Sequence, residues 1–283
     1  MAFESVLITG CSAGGIGSGI AIEFQKQGLH VFATARDIKK LMHLKDLANV
    51  TLLPLDVTSK QSVEAAVEAV RKSEKGGGKL KYLVNNAGLG HTTPLIHVDV
   101  EPGSSAREMW EVNYWGVLRV TKAFSELLIQ EKGCVVNIGS GAGLVYFPWT
   151  GIYGSSKAGI NLVSETMRLE LGLLHVRVIS IMTGYVSSNF HANRSYRLPP
   201  ASPYHSYEEE IVTTLNDLPA NVTTAEEVGR QVAQDALQGK SGELYIGTQA
   251  WVGKWVLPYL PTWLKDYLFL TRISRLLARR KAV

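Results

Sequence analysis

The chain has 283 residues, of which 46% are hydrophobic. That length suffices for one large core, and α/β folds of this size are commonly a single domain. Net charge is only +4, which excludes a chain-wide nucleic-acid-binding surface. The charge is unevenly placed: residues 251–283 hold seven basic side chains (Lys254, Lys265, Arg272, Arg275, Arg279, Arg280, Lys281) against one acid, Asp266. The remaining 250 residues therefore carry about −2. Cys11 and Cys134 are the only cysteines, one in a glycine turn and one in a predicted strand, so no disulfide framework is expected. No metal site is expected either. Met1 leads almost directly into an apolar run with no signal peptide before it, which predicts a cytosol-facing, non-secreted protein. No run of 18 uninterrupted apolar residues offers a spanning helix.

The first predicted element is a strand at 4–9. It runs into Thr9-Gly10-Cys11-Ser12-Ala13-Gly14-Gly15-Ile16-Gly17, and a helical pattern covers 15–28. Strand, tight turn and helix in that order place backbone N–H groups and the positive end of a helix dipole where a pyrophosphate can sit. Gly10, Gly15 and Gly17 supply the turn, the close backbone approach and the close helix contact such a site needs. Ser12 and Ile16 are expected to touch the same ligand. The turn has a second reading, because Gly10-Cys11-Ser12-Ala13-Gly14 matches the Gly-x-Ser-x-Gly nucleophile elbow of serine esterases and lipases. That chemistry would need a histidine and an acid. His175, His191 and His205 are available, with no compelling acid.

The second strand, 30–35, ends at Thr34-Ala35-Arg36-Asp37. An acid at this point holds a ribose 2′-hydroxyl, whereas an arginine accommodates a 2′-phosphate. The guanidinium fork of Arg36 suits phosphate, so NADP(H) is the expected cofactor. Asp37 could pair with Arg36 or favour NAD. Further strands are predicted at 50–55, 80–85, 133–139, 175–182 and 243–247, and helices at 60–73, 104–131, 152–173 and 224–238. Thr224 with Glu227 makes a capping box for the last helix. Near-continuous apolar strands joined by helices imply a parallel sheet covered on both faces. The expected fold is α/β: a Rossmann-type doubly wound parallel sheet of about seven strands flanked by helices. It would be a single domain over 1–250 with a C-terminal amphipathic extension over 251–283. Asp56 follows the third strand, and Asn85-Asn86-Ala87-Gly88 ends the fourth, where ligands of open α/β sheets bind.

Tyr153 and Lys157 stand four residues apart, on one face of a helix. An ammonium so placed favours phenolate and pulls a tyrosine below its usual ~10, which suits proton exchange near neutral pH. Ser140 ends the preceding strand, and Asn113 lies within the helix 104–131. Together these residues resemble the short-chain dehydrogenase/reductase family, over about residues 4–248. The likeness rests on the Thr9-Gly10 turn, Asp56-Val57, Asn85 to Gly88, Asn113, Ser140, Tyr153 and Lys157, in the family's order and spacing.

The resemblance implies hydride exchange between a nicotinamide and a carbonyl or alcohol. Tyr153 would protonate the carbonyl oxygen, and Lys157 would hold the nicotinamide ribose and tune Tyr153. Ser140 would bond the substrate oxygen, and Asn113 would keep a water in a proton relay. It further implies cofactor contacts at Arg36, Asp56, Val57, Asn86, Val186 and Ser188, and a homo-oligomer, dimer or tetramer, built on the helices carrying Asn113 and Tyr153. Three features depart from the family: one extra residue between Gly10 and Gly15, Thr183-Gly184 in place of Pro-Gly, and Ser188 in place of threonine. The extended turn and the Phe32 to Arg36 strand look most like fungal NADPH-dependent 1-acyldihydroxyacetone-phosphate reductases, a branch similar to hydroxysteroid and retinol reductases.

Residues 185–222 make the longest irregular stretch, expected to be a substrate-binding loop. Tyr185, Phe190, Tyr196, Leu198, Tyr204 and Tyr207 in it point to a hydrophobic substrate, and His191, Arg194 and Arg197 could meet a substrate phosphate. Beyond it, Trp251, Trp255, Tyr259, Trp263 and Tyr267 cluster in the basic tail, as interfacial anchors do. On a helical wheel over 262–281, Lys265, Arg272, Arg275 and Arg279 form one stripe. The apolar Leu264, Tyr267, Leu268, Leu270, Ile273 and Leu277 lie mostly elsewhere. That pattern predicts peripheral attachment to a membrane, such as endoplasmic reticulum or lipid droplet; the competing expectation is a tail packed on its own domain or on a partner subunit. The expected activity is NADPH-dependent reduction of a lipid-like ketone such as 1-acyldihydroxyacetone phosphate. Alternatives are a steroid, retinoid or fungal secondary-metabolite ketone as substrate, a serine esterase, or a nucleotide binder without chemistry. Ser140 and Tyr153 argue against the last.

Overall fold

The computed structural model describes residues 4–190, 198, 200–208, 211, 219 and 221–280, with 272–280 as backbone only. Among them the strands are β1 (Ser5–Ile8), β2 (His30–Ala35), β3 (Val50–Pro54), β4 (Tyr82–Asn85), β5 (Cys134–Ile138), β6 (Arg177–Thr183), β7 (Val186–Ser187), β8 (Thr223–Thr224) and β9 (Gly242–Ile246). Seven of them form one parallel sheet in the order β3-β2-β1-β4-β5-β6-β9. The order reverses beside β1, so the crevice beyond its carboxyl end is where a ligand of such a sheet binds.

Alternate residues of β1 show why the sheet must be covered twice. Val6 and Ile8 join a core with Ile20, Phe24, Val228 and Val232, while Leu7 joins a second core with Val63, Val67, Val120 and Phe124. The first core belongs to α1 (Ile16–Lys26) and α6 (Ala225–Leu237). The second belongs to α2 (Lys60–Arg71), α4 (Gly116–Gln130) and α5 (Gly151–Gly172). Close approach of α1 and α6 depends on glycine: a Cβ at Gly19 would lie 2.5 Å from the Ala225 carbonyl oxygen. Thr224 caps α6, its Oγ1 accepting from Glu227 N at 3.1 Å.

Three local features differ from the sequence expectation. The helix predicted at 104–131 is α3 (Ser105–Trp110), a π-helical turn (Glu111–Trp115) and then α4. The wider turn lets the buried Asn113 side chain bond to Leu89 rather than serve the helix. A 3₁₀ turn, Ile38–Leu44, follows β2, capped by the Asp37 carboxylate accepting from Lys39 N at 2.9 Å. The 185–222 stretch is tied at both ends: β7 pairs with β8, Val186 opposite Thr223, and Tyr185 bridges to Thr248. The tail folds as α7 (Ala250–Trp255), a 3₁₀ turn (Leu257–Tyr259) and α8 (Thr262–Arg280). Among the described residues, no helix is long and apolar enough to cross a membrane.

Candidate active site

A cavity of about 820 Å³ opens beyond the carboxyl ends of β1, β2, β4, β5 and β6. Its cofactor-like end begins at the glycine turn. Gly10 adopts φ +74°, and a Cβ there would lie 2.9 Å from Ala87 Cα. Asn86 fills the adjacent space: its Nδ2 donates to the carbonyls of Thr9 and Gly10, both at 2.9 Å. A Cβ on Gly17 would collide with that Nδ2 and lie 2.5 Å from the Gly10 oxygen. Gly15 opens α1 with no side-chain cap, so the helix N-terminus offers its own N–H groups to the cavity. An anionic diphosphate fits that end: glycine backbone, an uncapped helix and the wall residues Ser12 and Ile16. Cys11, in the same turn, points into the core, and burial pushes its thiol up to about 12, so it is not a nucleophile.

Arg36 lines the rim and pairs with Glu108 of α3 at 3.3 Å. The pairing with Asp37 considered from sequence does not form; Asp37 caps the following turn instead. Lys40 comes to the same rim. Asp56 accepts from Thr58 N at 2.9 Å and Thr58 Oγ1 at 2.8 Å, and lies on the wall with Val57. Val186 and Ser188 line the opposite side. Asn189 clips that side to the turn, its Nδ2 donating to the Ala13 carbonyl at 3.0 Å.

Tyr153, Lys157 and Ser140 share the deeper wall. Lys157 is buried and donates from Nζ to the Ile138 carbonyl at 2.9 Å. Burial disfavours its charged form and lowers its pKa to about 8. Ser140 Oγ accepts from Ala142 N at 3.1 Å, fixing the bend after β5. The Tyr153 ring lies 5.8 Å from that of Phe190, centroid to centroid.

Two of the sequence-predicted residues stand behind the wall rather than on it. Gly17 shapes the turn as described. Asn113 is 1% exposed; its Oδ1 accepts from Leu89 N at 2.8 Å, and its Nδ2 donates to Leu89 O at 2.9 Å and Ser156 Oγ at 3.0 Å. Asn113 thus holds the Gly88-Leu89 backbone against α5.

Sequence reasoning missed Asn161, which donates from Nδ2 to the Ser140 carbonyl at 3.1 Å. Its spacing was a usable signal, since it continues the Tyr153, Lys157 stripe at i+8. The reading also missed how far the tail enters the site: Val252, Leu257, Leu268 and Phe269 line the cavity with Phe147, Trp149 and Phe190. His191, Arg194, Tyr196 and Arg197 lie outside the described residues.

The model of the short chain dehydrogenase family matches residues 4–198. A short-chain dehydrogenase of Penicillium ochrochloron, ptmH, is 45% identical over 93% of this chain and 95% of its own. An NADPH-dependent 1-acyldihydroxyacetone phosphate reductase of Schizosaccharomyces pombe is 36% identical over 88% of this chain and 85% of its own. A crystal structure of a short chain dehydrogenase from Burkholderia cenocepacia in complex with NADP superposes with a TM-score of 0.72 at 25% identity, covering 95% and 99% of the two chains. The chain belongs to the short-chain dehydrogenase family and is an oxidoreductase. The esterase reading of Gly10 to Gly14 is thereby corrected. Among the described residues no histidine lines the cavity with Ser12, and the turn is filled by Asn86 and the opening of α1.

Proposed function

We propose that this protein is an NADPH-dependent reductase that converts a ketone of a hydrophobic, lipid-like molecule to a secondary alcohol. The observation that carries it is one cavity wall bearing Tyr153, Lys157 and Ser140 together with the uncapped α1 N-terminus and Arg36. Bound NADPH supplies the hydride. Ser12, Gly15 and Ile16 would hold its diphosphate, with Gly10, Gly17 and Asn86 fixing the turn. Arg36, with Lys40 on the same rim, would take the 2′-phosphate, and Asp56 and Val57 would hold the adenine. Val186 and Ser188 would meet the carboxamide end. The Lys157 ammonium would bind the nicotinamide ribose hydroxyls and stabilise phenolate at Tyr153. Ser140 Oγ donates to the substrate carbonyl, and Tyr153 Oη delivers its proton to that oxygen. Asn113 keeps the Leu89 wall in place and is the family-like candidate for holding a relay water.

The 36% identical reductase from fission yeast makes 1-acyldihydroxyacetone phosphate the first substrate to test, and the apolar wall of Phe147, Phe190, Leu257, Leu268 and Phe269 suits an acyl chain. A second reading has its own support. Apart from Lys157, the described basic residues on the wall are Arg36 and Lys40, both at the cofactor end, which suits an uncharged steroid, retinoid or secondary-metabolite ketone. NADPH oxidation measured with both substrate types, NADH run in parallel, tests the proposal. Turnover of acyldihydroxyacetone phosphate with NADPH and little with NADH supports the first reading. Turnover of only the uncharged ketones supports the second, and no turnover of any ketone contradicts both.

A further inference from the structure

The tail has two unlike faces. Its inner face lines the cavity. Phe269 is buried, with ring centroids 4.7 Å from Phe147 and 5.3 Å from Tyr146. Asp266 Oδ1 accepts from Tyr146 Oη at 2.9 Å, and Val252, Leu257 and Leu268 line the same chamber as Tyr153. Its outer face leaves five aromatic side chains in water: Trp251, Trp255, Tyr259, Trp263 and Tyr267 are 59–76% exposed. None of the five lines the cavity. An apolar cluster of that kind on a folded surface marks an interaction site.

We propose that residues 250–269 form an interfacial lid: the outer aromatic face docks on a lipid surface with anionic headgroups, and the inner face walls the substrate chamber beneath it. The mouth of the chamber then opens at the lipid, and a hydrophobic ketone reaches Tyr153 without crossing water. Two observations select the partner. Tryptophan and tyrosine favour the headgroup level of a bilayer, where an apolar ring and a polar tip are both satisfied. The lid itself carries Lys254 and Lys265 against Asp266, and five more bases follow it at 272–281; together they draw the segment to anionic lipid and set it against a second copy of itself, whose tail bears the same charge. The 146–147 segment couples the faces, because it grips Phe269 and Asp266 and also lines the chamber through Phe147.

The chamber role rests on the reductase reading, so binding and turnover are measured separately. Full-length protein is sedimented with detergent-free vesicles of phosphatidylcholine containing about one third phosphatidylglycerol, and with phosphatidylcholine alone. The expected result is partition into the anionic vesicles. Trp255→Ser with Tyr259→Ser and Trp263→Ser should lower it about tenfold or more, while NADPH oxidation with the water-soluble ketone cyclohexanone stays at the wild-type rate. On vesicle-borne long-chain ketone the same variant should lose turnover through a higher KM. Wild-type partition of the triple variant overturns the proposal. So does a wild-type dimer that the substitutions dissociate, since the face would then join two copies of this chain. Phe269→Ala tests the inner face: KM for the long-chain ketone should rise by more than kcat falls, and an unchanged KM removes the lid from the chamber. Intact partition with no turnover of any ketone strikes the reductase reading and leaves the docking face standing.

Discussion

At the residue scale, burial and charge decide what the site does with pH. Lys157 is lowered from 10.5 to about 8 by burial alone. Its unfolded form binds a proton more tightly than its folded form, so the destabilising cost of burying the charge is fully present below pH 8 and fades between pH 8 and 10.5. The proposed reduction has the opposite dependence, because in it Lys157 is charged and Tyr153 protonated. The kcat/KM for ketone reduction should therefore fall as pH rises through about 8, read from a pH profile of the free enzyme. A flat profile to pH 10 would remove Lys157 from the reaction. Arg36 offers a second prediction. Its pair with Glu108 is solvent-exposed, with 57% and 52% of the two side chains accessible, and such pairs are worth about 1 kcal/mol or less. Glu108→Gln frees the guanidinium and removes a carboxylate from the 2′-phosphate site. NADPH should then bind more tightly by up to about fivefold, with NADH unchanged. Equal effects on both cofactors would place the 2′-phosphate elsewhere.

At the scale of elements, the parallel strands were legible because several are near-continuous apolar runs set between helical patterns, and the predicted bounds of all seven differ from the observed ones by two residues or fewer. The break at Glu111–Trp115 was not legible. Asn113 reads as one polar residue in a regular helix, and the bonds that repay the irregular turn are made 24 residues away, at Leu89. Cross-links of that kind have no local signature. Asn85 bonding Thr121 and Asn137, and Asn137 bonding Ser164, tie β4, β5, α4 and α5 together in the same way. The outer face of α5 carries a third prediction. Leu162 and Leu169 are exposed there, and Leu173 just past its end, at 65% or more, while Lys157 and Asn161 of the same helix are buried. We propose that this stripe pairs with its copy in a homodimer, an arrangement that places one patch on both subunits. Leu169→Arg should shift the protein from dimer to monomer in light scattering and leave NADPH binding intact. A wild-type monomer would contradict it.

At the scale of the whole molecule, one crevice gathers residues from positions 10 to 269, and its two ends differed in how far the sequence revealed them. The cofactor end was legible because glycine spacing, Arg36 and the Tyr153, Lys157 pair are local patterns with a physical reason for each residue type. The substrate end was not, since its wall is built by apolar side chains from α7, α8 and the 146–150 segment, and apolar residues in a tail look the same whether they cover a site or a membrane. The proposed reaction turns on Tyr153 protonating a ketone while NADPH is oxidised. Its most direct test is the loss of NADPH absorbance by wild type and Tyr153→Phe on the same hydrophobic ketone, with NADPH affinity measured for both. Wild type should turn over, and the variant should lose about 10²-fold or more of that rate while binding NADPH equally well. A variant that binds NADPH and reduces the ketone at the wild-type rate would contradict it.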